Sequence, residues 1–167
     1  MLILQKNSVA KKYVLILVFS LLPFIIGITY SLFQSNDRAY YSAAINISGS
    51  QRMRTMLLSN YSQQYVSSTL ANQFEDMKNA KEVLLKEKVI YDKFYNALLN
   101  GESSLNMKRP DNEEIAQVLK ELEPFINNYL LSIESVLIDY NDKDSLKNIT
   151  KNAMYIKDQY HIITELF

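Results

Sequence analysis

The sequence predicts an all-α protein, an antiparallel four-helix bundle whose first helix continues from an N-terminal transmembrane helix. Three observations predict it. Only 3 glycines and 3 prolines occur in 167 residues, too few for hairpin turns, phosphate loops or a nucleotide fold. Residues 13–33 contain no charged side chain. Beyond that run, apolar residues recur at three- and four-residue spacings between short polar breaks, the period of helices that each bury one stripe.

The composition also limits function. The 18 basic and 18 acidic side chains cancel, so no basic field attracts nucleic acid and none is expected as a partner. There is no cysteine and a single histidine, His161, which excludes disulfides, thiol catalysis, thiolate metal sites and a histidine-rich metal centre. No Ser-His-Asp set, HExxH helix, Gly-rich phosphate loop or calcium loop is present. The carboxylate pairs Glu75-Asp76, Glu113-Glu114 and Asp142-Asp144 fall at helix starts or turns, where the helix dipole accounts for them. No catalytic residue, metal or cofactor is expected, and the chain reads as no enzyme.

Residues 13–33 have the length of a membrane span, because about 20 helical residues at 1.5 Å each cross a bilayer's hydrocarbon core. A signal peptide is the competing reading, but its apolar core is about 7–15 residues and ends in small residues. This run ends Tyr30-Ser31-Leu32-Phe33. A buried soluble helix is the remaining alternative, and the length argues against it. Pro23 and Gly27 are tolerable inside a membrane helix. Lys6, Lys11 and Lys12 precede the run and favour a cytoplasmic N-terminus over residues 1–12. Residues 34–167, with all 18 acids against 15 bases, are then extracytoplasmic. The chain reads as a single-pass protein of the cytoplasmic (inner) membrane that meets lipid through residues 13–33. Its wealth of Lys, Asn, Ile and Tyr resembles a low-GC bacterial proteome.

Four helices follow, over about 34–70, 73–100, 112–140 and 143–167. The first leaves the membrane directly, with Tyr40 and Tyr41 suited to interfacial anchoring. In the second, Met77, Ala80, Leu84, Tyr91, Phe94 and Leu98 form a stripe interrupted by Glu87, and Asn100-Gly101 signals its end. The stretch 101–111 reads as one polar loop. In the third, Ile115, Leu119, Leu122, Ile126, Tyr129, Ile133, Val136 and Tyr140 keep a 4-3-4-3 seam. Asp111 or Asn112 is the expected cap, and Pro124 is expected to kink or split this helix. The fourth carries Leu146, Ile149, Ala153, Ile156, Tyr160, Ile163 and Phe167. No second apolar span follows, which predicts no cytoplasmic output domain in this chain.

The informative segment is Ile45-Asn46-Ile47-Ser48-Gly49-Ser50-Gln51-Arg52-Met53-Arg54-Thr55. At 100° per residue, Ile45, Gly49, Arg52 and Met56 form one stripe, while Ile47, Ser50, Arg54, Leu58, Tyr61 and Tyr65 lie near the opposite side. Arg52 and Arg54 therefore cannot clamp one small ligand. Gly49 removes a side chain one turn before Arg52 and admits a helix or ligand close to the backbone. In a dimer paired along this stripe the two Arg52 guanidiniums would face each other, which favours a planar oxyanion between them. The plainer reading of Arg52 is an interhelical ion pair. Asn46 suits either a bond across the bundle or ligand contact, and Arg54 a solvated or pairing role. Tyr91, Tyr129, Tyr140 and Tyr160 are expected in the core, with His161 partly exposed beside Tyr160.

The segment 45–53, INISGSQRM, resembles the motif of periplasmic sensor domains in nitrate/nitrite sensor kinases and PilJ-type methyl-accepting chemotaxis receptors. Ile45, Asn46, Gly49, Arg52 and Met53 match it, and Gln51 fits the PilJ-type branch. The resemblance implies a membrane-anchored four-helix bundle that works as a homodimer or by hetero-pairing with a related receptor. It implies a small anion bound by Arg52, with Gly49 beside it; Asn46, Ile45, Met53 and Met56, around them on the helix, are candidate supporting residues. A second arginine that many relatives carry five residues on is Leu57 here. The expected function is a sensory, ligand-binding module of chemoreceptor or sensor-kinase type. The alternative is a structural or interaction protein that docks onto another membrane protein and binds no small molecule.

Overall fold

A computed structural model describes the backbone of residues 2–167, with side chains from Lys11 onward except Asn36. Lys6 and its immediate neighbours lie outside the described side chains. Among the described residues there are four α-helices and no strand: α1 (Leu2–Leu70), α2 (Phe74–Asn100), α3 (Glu113–Ile138) and α4 (Lys143–Leu166). The chain divides into two compact units, residues 1–39 and 40–167, and α1 contributes to both.

In the first unit the large apolar side chains from Tyr13 to Phe33 are exposed, and the helix is long and apolar enough to cross a membrane. The polar residues in this run satisfy themselves on their own helix. Ser20 Oγ donates to the Leu17 carbonyl and Thr29 Oγ1 to the Ile25 carbonyl, each at 2.8 Å. That economy is what a hydrocarbon environment demands of a hydroxyl.

The second unit is the bundle. Its antiparallel order is fixed by cross-helix pairs whose numbers run in opposite directions: Gln51 with Tyr91 and Arg54 with Glu87 between α1 and α2, Lys88 with Glu134 and Tyr95 with Leu119 between α2 and α3, Ser48 with Thr164 and Gln51 with Tyr160 between α1 and α4. The α3 seam is buried from Ile115 to Val136 and the α4 stripe from Ile149 to Ile163. Tyr140 departs from expectation. Helix α3 ends at Ile138, and Tyr140 lies exposed in the turn before α4. Pro124 does not split α3, which is continuous through it. The proline is exposed, so the one backbone rung it removes faces water rather than the core.

In α2, Ala80, Leu84, Tyr91 and Leu98 are buried as the stripe predicts. Glu87 interrupts that stripe because Arg54 of α1 pairs with it. Arg54 also donates to Ser50 Oγ at 3.3 Å and stacks 5.2 Å from the Phe94 ring centroid, so it ties α1 to α2 instead of meeting solvent. Gly101 ends α2 at φ 81°, and a Cβ there would sit 2.7 Å from Arg109 N and 2.8 Å from Lys108 C. Only glycine fits that turn. The following segment is less loose than a polar loop. A short 3-10 turn over Ser103–Leu105 is closed by a bridge between Glu102 and Met107, and Met107 is buried. Asn112 is the cap of α3, its Oδ1 accepting from Glu114 N at 2.9 Å. Tyr40 is buried, packed edge-on against Phe167 with ring centroids 6.1 Å apart, while Tyr41 stays half-exposed. Of the two tyrosines assigned to interfacial anchoring, Tyr40 is a core residue.

Candidate functional site

The segment 45–56 presents two unlike faces. The inner face is polar. Ser48, Gln51, Thr55, Ser59 and Ser62 are all buried, at spacings of three and four along α1. At its centre, one layer takes a side chain from every helix. Gln51 Nε2 donates to the Tyr91 carbonyl of α2 at 2.8 Å and, at 3.4 Å, to the Tyr160 hydroxyl of α4. The Tyr129 hydroxyl of α3 donates to the Thr55 carbonyl at 2.6 Å, and Thr55 Oγ1 bonds the Gln51 carbonyl at 2.8 Å and the Tyr91 hydroxyl at 3.3 Å. Lower down, the Ser48 and Thr164 hydroxyls pair at 2.9 Å. Helix α1 thus adds hydrogen bonds across the bundle to the apolar packing of Ala44, Ile47, Leu58, Tyr65 and Val66. Burial pushes the Tyr91 hydroxyl up to about 12 and that of Tyr129 and Tyr160 well above the usual range.

Gln51 Oε1 is buried without a hydrogen-bond partner among the described residues. A buried, unpaired acceptor costs roughly 1–3 kcal/mol, whereas an apolar group of similar shape removes that cost. The Tyr91 carbonyl keeps its own helical partner. Gln51→Leu is therefore expected to raise stability by about 1 kcal/mol. Thermal unfolding of the full chain in detergent, followed by helical circular dichroism, checks this, and a lowered midpoint would assign Gln51 a net stabilising bond.

The outer face carries most of the predicted site. Arg52 and Asn46 are exposed, Ile45 is 39 % exposed and Met53 73 %. Gly49 has nothing within 4 Å of where a Cβ would stand, so none of the described residues uses the space it leaves. Asn46 makes no bond across the bundle among the described residues; it points away from it. A shallow cavity of about 430 Å³ is lined by Arg52, Met53, Met56, Leu57, Asn60, Tyr61 and Lys157. The structure thus brings Arg52, Met53 and Met56 together, and leaves Ile45, Asn46 and Gly49 one or two turns away on the same helix.

Two residues of α4 join this site without having been expected there. Lys157 lines the cavity beside Leu57, where the resemblance implies a second cation on α1. Arg52 Nη1 lies 3.2 Å from His161 Nδ1, and His161 Nε2 lies 3.3 Å from Glu165 Oε1. Arg52 therefore makes an interhelical contact, as its plainer reading predicts, but with a histidine rather than a carboxylate. The signal for Lys157 and His161 is the antiparallel register. Once Gln51 meets Tyr160, Arg52 must fall beside the next α4 residues on the outer side. Among the described residues no group of His, Asp and Glu side chains is arranged to hold a metal ion.

The family model for PilJ, described as type IV pili methyl-accepting chemotaxis transducer N-terminal, matches residues 33–151. Neither a curated protein nor a solved structure matches the chain.

Proposed function

The chain belongs to the PilJ family of type IV pili methyl-accepting chemotaxis transducer N-terminal domains, and from that premise we propose that its bundle senses a small planar anion at Arg52. The family makes it a sensory module of chemoreceptor type associated with a membrane. The finer reading follows the likeness of segment 45–53 to nitrate/nitrite sensors. It takes α1 as a single-pass anchor in the cytoplasmic membrane, Lys11 and Lys12 on the inner side, and residues 34–167 as extracytoplasmic. Signalling then works through a partner, either a second copy or a related receptor.

The observation that carries the reading is the state of Arg52. Its guanidinium has five N–H donors, of which only the one at Nη1 facing His161 has a partner among the described residues. Arg52 and Lys157 line the same cavity. A planar oxyanion matches that fork in two parallel hydrogen bonds. The open surface at Gly49 and the exposed Ile45 and Met53 support pairing of two copies along the same stripe, with the anion near the joint.

Thermal unfolding of the detergent-solubilised chain in nitrate, nitrite, sulfate and chloride of equal ionic strength tests this. An anion present at a hundred times its dissociation constant adds about 2.7 kcal/mol when only the folded state binds it. A midpoint raised by nitrate or nitrite over chloride, and lost in Arg52→Ala, is the expected result. A folded Arg52→Ala protein with the same midpoints as wild type in every salt would leave the second reading, a module that docks onto another membrane protein through its exposed α1 stripe.

A further inference from the structure

The only histidine of the sequence stands against the arginine of the sensing segment, and its two ring nitrogens lie near opposite kinds of group. Arg52 has donors only, so at 3.2 Å from Nη1 the His161 Nδ1 atom must accept. A neutral ring then carries its proton on Nε2, which lies 3.3 Å from Glu165 Oε1. Lys157, His161 and Glu165 recur every four residues and so form one stripe of α4. The stripe meets the cavity at Lys157 and the guanidinium at His161. Charged groups facing this ring are Arg52 from α1, with Lys157 and Glu165 from α4; Asp158 is engaged by Lys157 at 3.2 Å.

Protonation of Nδ1 changes this arrangement. Two donors, both on cations, would then oppose each other across a hydrogen-bond distance, which is unfavourable without an acceptor between them. An oxyanion supplies that acceptor. One oxygen takes the hydrogen bond of Nδ1–H, another that of the Arg52 guanidinium, and Lys157 adds a further positive charge. We propose that the groove between α1 and α4 binds its oxyanion together with a proton taken from solvent onto His161, with Lys157 as the second fixed cation. This rests on the anion reading of Arg52. It adds that both extra cations come from the same chain and that ligand and proton promote each other's binding, as linkage requires.

Histidine is the side chain whose charge ordinarily changes between about pH 5 and 8, so the coupling is measurable there. Full-length protein in detergent is titrated with sodium nitrate by calorimetry in two buffers of different ionisation enthalpy. Wild type is expected to take up part of a proton per nitrate at about pH 7, and to bind about fivefold or more tightly at the acidic end of that range than at the alkaline end. His161→Gln binds nitrate at every pH only as weakly as wild type does at the alkaline end, and loses both the proton uptake and the pH dependence. Lys157→Gln binds more weakly throughout while still taking up the proton. Nitrate binding by wild type with no proton uptake, or uptake that survives in His161→Gln, overturns the coupling and leaves the Arg52 reading standing. Lys157→Gln binding as tightly as wild type removes Lys157 from the proposal. Absence of nitrate binding in both calorimetry and thermal unfolding overturns the coupling and the anion reading together.

Discussion

Tyr160→Ala is expected to lower the stability of the bundle by about 3–5 kcal/mol, the range for truncating a buried aromatic side chain to alanine. Tyr160 is fully buried, and its ring packs edge-on against Tyr91 with centroids 6.3 Å apart. It also reaches Gln51 through its hydroxyl. Alanine would therefore open a cavity where residues from all four helices meet and release the α4 side of Gln51. Such a loss is a large part of the 5–15 kcal/mol that typical domains possess, so the thermal midpoint should fall by roughly 10 °C or more. Tyr160→Phe separates the two contributions. It keeps the ring and gives up the hydroxyl's bonds, the long one accepted from Gln51 and the one donated to the Tyr91 hydroxyl, a loss of about 1–2 kcal/mol. Helical circular dichroism of the detergent-solubilised proteins on heating reads both variants. Equal loss in the two would mean that the hydroxyl, and not the packing of the ring, holds this layer together.

This layer also marks how far the sequence alone reaches. Helices α3 and α4 are legible because each buries one apolar face: Ile115 to Val136 and Ile149 to Ile163 are buried at the spacing their periodicity implies. Tyr140 is misread because a seam continues on paper past the residue where the backbone turns. Helix α1 defeats periodicity for a different reason. Its buried face mixes Ala44, Ile47, Leu58, Tyr65 and Val66 with Ser48, Gln51, Thr55, Ser59 and Ser62, and a hydropathy pattern reads the second set as surface. Meanwhile Ile45 and Met53, on the outer side, look like core residues. Arg54 and Glu87 lie apart in sequence, and only the packing of α1 on α2 turns two apparent flaws into one ion pair. Arg52 is legible from the segment around it. Lys157 and His161 are not, since their place beside Arg52 depends on the register between the first and last helices of the bundle, which no local pattern carries.

The concentration of tyrosine in this core makes the bundle unstable in alkali, and the sign follows from where the protons are held. An unfolded tyrosine ionises near pH 10. Burial raises the Tyr91 and Tyr40 hydroxyls to about 12 and holds those of Tyr95, Tyr129 and Tyr160 up as well. Asp111 and Tyr41 add to the effect at Tyr40, and Glu123 at Tyr95, by repelling a second negative charge. Between these limits the folded chain keeps protons that the unfolded chain releases, so stability falls as pH rises. The contribution is complete below about pH 10 and is lost progressively as pH rises through the folded values near 12. For Tyr91 alone the two-unit difference corresponds to about 3 kcal/mol once the pH is above both values. Several such groups share one core, and their contributions act in the same direction. Loss of helical dichroism and the appearance of buried tyrosinate absorbance are therefore expected as one cooperative transition between about pH 10 and 12. Tyr91→Phe removes one of the linked protons and moves that transition to higher pH. Complete tyrosinate formation with the helical signal intact would mean that water reaches the tyrosine layer in the folded bundle, and that its hydroxyls are not sealed between the four helices.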